Sequence, residues 1–373
     1  MAVGPAASSS LVSAAVLTEE SPEREAAALE PAAPLPGTGM PGPFPGRVIE
    51  TRSSRSILDN RVDFAVVQEM IGRGMAELTG ASSAREAWRV FFNEQDIVGI
   101  KVNASGVPGC VSSPEIVNAV ILALNDVGIP FQNIYLYERF SFQMDLAGYH
   151  ATVPPGVHVT GFGNDRGDLR SYDKSIYYET CFFGEEETRS YLGKLVSQRL
   201  TKIVNIPNLK DHGAAGVTGC LKNIAYGSFD NVARSHQGTK TYTKTFIGEL
   251  CRVEPLRSKT VLQVMDGLRG VYHGGPFAPN QKYMWFPGLI YLGTDPVAID
   301  RIELDIIEAK RREKGLISLW DRSPKNIITG EERGGDPNKN RFYREPGHIH
   351  YAGSLGLGIH DRKRIQLKQL LVS

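Results

Sequence analysis

Residues 96–138 restrict the fold more than any other part of the chain. Asp96–Val102 (DIVGIKV) is a short apolar run rich in β-branched residues and bounded by polar ones, the signature of a buried strand. Ser113-Pro114-Glu115 supplies an N-cap, a first-turn proline and a first-turn acid, so a helix is predicted over Glu115–Val127, stopping at Gly128. Asn133–Glu138 (NIYLYE) reads as the next strand. Two strands joined by a helix form a βαβ unit, and such units build parallel sheets with right-handed crossovers. The pattern recurs. A helix over Arg189–Leu200 precedes a strand at Lys202–Ile206, and a helix over Phe246–Arg252 precedes Thr260–Met265. Leu289–Leu292 precedes a long helix, Pro296–Lys314, and a short strand near Arg364–Gln369 comes last. The predicted architecture is α/β: an open, mostly parallel sheet with helices on both faces.

Charge and composition exclude several classes of function. The 373 residues carry 42 Lys+Arg against 41 Asp+Glu, a formal charge of +1. That balance lacks the basic excess of a dedicated nucleic-acid binder. No run of about 18 apolar residues is present, so no membrane-spanning helix is expected. The four cysteines, at 110, 181, 220 and 251, form no CxxC pair. A disulfide scaffold is therefore excluded, and the cysteine pattern does not support an iron–sulfur cluster. No P-loop occurs, nor a GxGxxG between a strand and a helix; AGSLGLG (352–358) resembles the latter only loosely. Residues 1–46 hold eight of the 22 prolines, ten alanines and five glutamates, with Arg24 the only basic residue. Such a segment buries too little apolar surface to offset its ordering entropy and reads as a disordered tail or linker. The domain organisation expected is that tail followed by one α/β domain over 47–373, with the positive charge concentrated in the domain.

Ligands of open α/β sheets sit beyond the carboxyl ends of the strands. Here those ends carry Lys101 and Asn103, Glu138 and Arg139, the run Asn208-Leu209-Lys210-Asp211-His212, Asp266 with Arg269 and His273, and Thr294-Asp295. The densest stretch, Lys210–His236, reads as a glycine-rich loop holding Lys210, His212, Lys222, Arg234 and His236, with Asn223 and Asn231 as neutral hydrogen-bonding groups. Basic side chains beside exposed backbone N–H groups favour a carboxylate or phosphate, and arginine adds a bidentate fork. His212, His236 or Lys210 would move protons. Lys101, Asn103, Lys222, Asn223, Asn231, Arg234 and Asp295 would bind substrate. Asp295 also stands where a helix N-cap belongs, ahead of Pro296. His212, His236 and Asp266 are ligand types for a divalent metal, although their spacing matches no compact motif. Cys220 lies in the same stretch, with packing the expected role.

The ordered series DIVGIKVN (96–103), SSPEIV (112–117), NLKDHGAAGVTGCLKN (208–223), NVARSH (231–236), DGLRGVYHGGP (266–276) and TDPVAID (294–300) resembles the domain-of-unknown-function family 362. Within it the chain is similar to a bacterial subgroup whose mature part opens on a Pro-Gly segment like Pro41–Val48. The resemblance spans roughly residues 40–370. It implies an iron–sulfur association in some members, from which this chain departs in lacking clustered cysteines. It also implies twin-arginine leaders in the subgroup. No Arg-Arg pair precedes this tail, so the sequence as it stands points to the cytoplasm, and to export if a leader is missing from this start. Where the subgroup reads Ser-His-Gly, this chain has Ala225-Tyr226-Gly227.

The expected function is an enzyme that binds a small anionic substrate in a basic cleft at the strand ends and performs isomerase- or lyase-like acid–base chemistry. The alternative is a non-catalytic metal- or anion-binding accessory protein. The cofactor is left unknown, with a divalent metal as one option. The partner expected is a small anion, with no nucleic acid and no membrane span.

Overall fold

Strand pleating decides which residues of this chain are core and which are site. In the computed structural model, which describes residues 37–163, 169–236, 241–277, 280–321, 323–326 and 346–373, the strands are β1 (Arg47–Arg52), β2 (Val98–Val102), β3 (Ile134–Glu138), β4 (His158–Gly161), β5 (Tyr172–Glu179), β6 (Arg189–Gly193), β7 (Lys202–Ile206), β8 (Asn208–His212), β9 (Thr260–Val271), β10 (Leu289–Gly293) and β11 (Gln366–Leu371). The main helices are α1 (Phe64–Thr79), α2 (Pro114–Asp126), α3 (Gly219–Ser228), α4 (Thr243–Arg252) and α5 (Pro296–Glu313). The part of the expected tail before residue 37 lies outside the described residues. From there on the chain packs onto the body: Met40 is buried, and the Phe44 N–H donates to the Thr294 hydroxyl.

Among the described residues the main sheet has eleven strands, nine of those above with the two-residue strands Gly216–Val217 and Met284–Trp285, in the main order β11-β1-β10-β9-β7-β2-β3-β4. β9, β7, β2, β3 and β4 pair in parallel, as the βαβ pattern predicts. β10 runs antiparallel to both its neighbours, β9 and β1. Helices cover both faces. Val98, Ile100, Val102, Val204 and Ile206 point to the face covered by α1 and α2. Ile203, Tyr137 and Tyr291 point to the face covered by α3, α4 and α5. Side chains alternate along a strand, so Lys101 and Asn205 belong to the second face. An apolar side chain buried there would contribute about 1.5–3 kcal/mol. A buried lysine instead costs several kcal/mol unless it is paired and hydrogen-bonded.

Three sequence readings change. Arg189–Leu200, predicted as a helix, is strand β6 followed by one helical turn at Leu195–Arg199. β6 forms a separate hairpin with β5, whose alternating Tyr172, Ile176 and Tyr178 supply a partner that local helix propensity ignores. The glycine-rich stretch is not one loop. Asn208–His212 is a fully buried strand, and Gly219–Ser228 is a buried helix. The cap of that helix comes from another element. Asp300 on α5 accepts the N–H groups of Cys220 and Leu221, the latter at 3.0 Å. Gly219, at φ +58°, leaves the room: a Cβ there would lie 2.4 Å from the Asp300 carboxylate. The third change is α1, which local signals left unassigned. It starts at Asp63, whose side chain accepts the Val66 N–H at 3.2 Å, and it buries Val67, Met70, Ile71, Met75 and Leu78 along one stripe.

Candidate functional site

The ends of β2, β3, β7 and β8 bring buried polar side chains under α3. Lys101 is fully buried. Its amine pairs with Glu138 Oε1 at 3.1 Å, donates to Asn223 Oδ1 at 3.1 Å and reaches the Val102 carbonyl. Asn103 donates to the same Asn223 oxygen at 3.0 Å, while its own Oδ1 accepts from the Lys210 amine at 2.7 Å. Lys210 also donates to Ser105 Oγ and the Cys110 carbonyl, each at 3.3 Å. Asn223 Nδ2 donates to Asn205 Oδ1 at 2.8 Å. An ammonium has three donors, so Lys101 and Lys210 are each satisfied in full within the protein.

Lys222 differs. Its position on α3 places Tyr226 one turn on, at i+4 on the same helix face, and its Nζ lies 3.8 Å from the centre of the Tyr226 ring. Among the described residues its amine has no hydrogen bond and no ion pair, though the residue is only 8% exposed. Burial, with Lys210 and Arg139 adding to it, lowers the Lys222 pKa to about 7. Arg139 follows Glu138 at the end of β3. Its guanidinium lies 4.7 Å from the Phe140 ring centre, and its Nε is buried without a partner among the described residues. Lys101, Lys210, Lys222 and Arg139 thus share one region with the Glu138 carboxylate, while Glu303 accepts the Lys210 backbone N–H at 3.0 Å.

His212 and His236 do come together, with ring centroids 5.2 Å apart, and His236 meets Tyr226 edge-on at 5.5 Å. His212 Nδ1 accepts the N–H groups of Ala214 at 3.0 Å and Ala215 at 3.2 Å. Those bonds fix the neutral tautomer with its proton on Nε2. Burial, then Lys222, pushes the His212 pKa well below its usual value and lowers His236 to about 3. Both rings are neutral at physiological pH.

Other residues singled out from the sequence lie elsewhere or are committed to structure. Arg234 spends all five donors on the β5–β6 hairpin and its approach: Nε on the Asn231 carbonyl, Nη1 on the Thr180 carbonyl and Glu185, Nη2 on the Thr188 carbonyl and Ser190. Asn231, at φ +44°, donates to the carbonyls of Glu187 and Arg189. Asp266 accepts the N–H of Ser113, at the start of α2, and of Leu268. Asp295 caps α5 through Ala298 at 2.9 Å and also accepts from Gly46 and Ile359. Because β10 is antiparallel, its end points away from the ends of β2, β3 and β7, so Asp295 stands at the opposite edge from Lys101. Among the described residues no group of three His, Cys, Asp or Glu side chains is placed to hold a metal ion. The set His212, His236 and Asp266 is not assembled as a ligand group. Cys220 is buried in the apolar core, and burial raises its thiol pKa well above the ordinary value. Two surface recesses, one at Arg170, Asp173 and Lys194 and the other at Trp285, Phe286 and Lys310, include none of the cluster residues.

The profile described as "Domain of unknown function (DUF362)" matches residues 98–305, from the first residue of β2 into α5. The chain belongs to the DUF362 family. The match includes every side chain of the lysine–asparagine cluster and both histidines. The DUF362 chain is also similar to a crystal structure of a protein from Thermotoga maritima, at 9% identity and a TM-score of 0.38, over 66% of this chain. It spans 59% of that protein's length. A search among curated proteins found no match. Among the described residues no helix is long and apolar enough to cross a membrane.

Sequence reasoning named Glu138 and Arg139 at a strand end without assigning them a role, and passed over Asn205 and Tyr226 as site residues. Tyr226 was legible in principle, since reading 219–228 as a helix sets it one turn from Lys222. Asn205 was not, because a single asparagine within a buried strand carries no local signal.

Proposed function

We propose that this DUF362 chain is an enzyme that binds a small carboxylate or phosphate at the ends of the parallel strands and moves protons there, in isomerase- or lyase-like chemistry. The observation that carries the reading is the unmatched Lys222 amine within a buried, cation-rich group. Lys101 and Lys210 are saturated by Glu138, Asn223, Asn103 and the loop Ser105–Cys110. They act through their field, while Lys222 supplies the direct contact, with Arg139 nearby. The anion would restore the charge balance of a region where it counts most, because a buried charge is poorly screened. His212, with its proton held on Nε2, and His236 beside it would serve as the proton-transfer pair. Arg234 and Asp295 leave the substrate-binding set, since their polar atoms are used within the fold.

The test is a thermal-shift series with phosphate, acetate and small dicarboxylates. A ligand that binds the native state alone raises apparent stability with its concentration. Stabilisation of the wild type that is lost in Lys222→Met, with the fold retained, supports the reading. Equal stabilisation of both proteins overturns it. Anion binding with no solvent-proton exchange into any bound carboxylate would leave a binding protein in place of an enzyme.

A further inference from the structure

We propose that Lys222 is a carbonyl-reactive lysine, whose Nζ condenses with the aldehyde or ketone group of a small oxo acid to form an imine. This rests on the anion-binding reading for the substrate's carboxylate. Three observations support the nucleophile itself. The amine has neither an acceptor nor a counter-ion among the described residues, so its lone pair is not tied up by an ion pair. It lies over the Tyr226 ring at 3.8 Å in a nearly closed environment, with Lys210, Arg139 and Lys101 as cationic neighbours and Glu138 as the opposing charge. That is the setting that leaves a lysine neutral and nucleophilic: a desolvated amine beside other cations. Finally, Lys222, Tyr226, His236 and His212 follow one another in a chain of contacts at 3.8, 5.5 and 5.2 Å, the Tyr226–His236 step edge-on, ending in a ring that carries its proton on Nε2.

The step balances within the site. The amine lone pair attacks the carbonyl carbon, a C–N bond forms, and the carbonyl π electrons move to oxygen, which gains a proton. The carbinolamine then expels that oxygen as water, taking the second proton that the nitrogen gives up, and the C=N bond forms. No oxidant, reductant or metal is consumed. The histidine pair relays the protons between nitrogen and oxygen. The imine is an electron sink for the carbon next to it, which fits proton-transfer chemistry at that carbon. Lys101, Lys210 and Arg139 supply the field that favours a substrate bearing a carboxylate.

The experiment is reductive trapping of the full chain with pyruvate and with glyoxylate at neutral pH, using borohydride, followed by peptide mass mapping. An ordinary lysine is neutral to only about one part in a thousand at pH 7, whereas Lys222, at about 7, is half neutral. Labelling at Lys222 should therefore exceed that at any surface lysine by at least about tenfold. Lys222→Arg should lose the adduct, and its unfolding midpoint reports whether it folds. Labelling spread evenly over the lysines, or concentrated at another one, overturns the inference. If acetate and phosphate stabilise the wild type but no Lys222 adduct forms, the carbonyl step alone is wrong. If no anion stabilises it and glyoxylate still labels Lys222, the anion reading fails and the reactive lysine stands.

Discussion

Arg234 separates a structural account of this region from a ligand-binding one. Its side chain is 5% exposed, pairs with Glu185 Oε1 at 2.6 Å and fills its remaining donors with the carbonyls of Asn231, Thr180 and Thr188 and the hydroxyl of Ser190. It also lies 4.8 Å from the Phe182 ring centre and 5.1 Å from that of Phe246, which ties the β5–β6 hairpin to α4. In Arg234→Ala, Glu185 loses its counter-ion at a position only 10% exposed, and three carbonyls lose a donor. Breaking such a pair from one side costs about 3–5 kcal/mol. Each carbonyl bond adds about 0.5–1.5 kcal/mol, although these losses overlap with that of the pair. The expected loss is about 3–5 kcal/mol, a large share of the roughly 5–15 kcal/mol that holds a protein folded. Urea unfolding followed by circular dichroism measures it, and adding Glu185→Ala should recover part of the loss by removing the stranded charge. Arg234→Lys should fall between wild type and alanine, since an ammonium cannot match five fixed donor directions. A loss below about 0.5 kcal/mol together with a vanished phosphate shift would refute the reasoning, because it would mean that the guanidinium serves a ligand.

Three further outcomes follow from the same geometry. Asp295→Ala should cost about 3 kcal/mol in urea unfolding, from a lost N-cap at ~1–2 kcal/mol and two further orphaned N–H groups, on Gly46 and Ile359. It should leave anion binding unchanged. Gly227→Ala should keep the fold but weaken phosphate or acetate stabilisation, because its Cβ would lie 1.7 Å from Lys101 Cε and push that chain off Glu138 and Asn223. For Lys222 the folded pKa of about 7 lies below the unfolded one, so the unfolded state binds more protons between about pH 7 and 10 and stability contributed by this group rises across that window. Lys222→Met should flatten this rise in a pH series of unfolding free energies, and an unchanged slope would contradict it.

What could be read from the chain depended on where each signal resides. The β2–α2–β3 unit was legible because its strand pattern, Pro114 cap and Gly128 stop all lie within the unit itself. α3 was misread because its cap, Asp300, comes from a helix about 80 residues later, while the local sequence shows only glycines. β6 was misread because its partner strand, β5, outweighs the local preference. Lys101, Asn103, Lys210 and His212 were found from strand ends, Asn223 and His236 from the glycine-rich stretch, and the sheet with α3 brings them together. Asp295 was placed in the cleft by reading its strand as parallel to the others, and the antiparallel β10 carries it to the opposite edge. Arg234 shows the remaining limit: composition reveals a guanidinium but not whether its donors are already taken.

The cost of the cluster is itself an argument about its purpose. Lys101 is compensated by a carboxylate and two acceptors, and Lys210 by three acceptors, so the fold has met the demands of those two buried amines. Lys222 stacks on Tyr226 from within a helix, where a methionine of similar length would pack on the same ring with no charge to desolvate. Folding alone would favour that replacement. The lysine stands beside three other cations and the Glu138 carboxylate, one aromatic ring away from His236, and its burial among those cations raises the cost of keeping it. Strain and uncompensated polar groups that a fold does not need are expected where a ligand or substrate completes them. On that ground Lys222, rather than the better-bonded Lys101 or Lys210, is the residue on which the proposed chemistry rests.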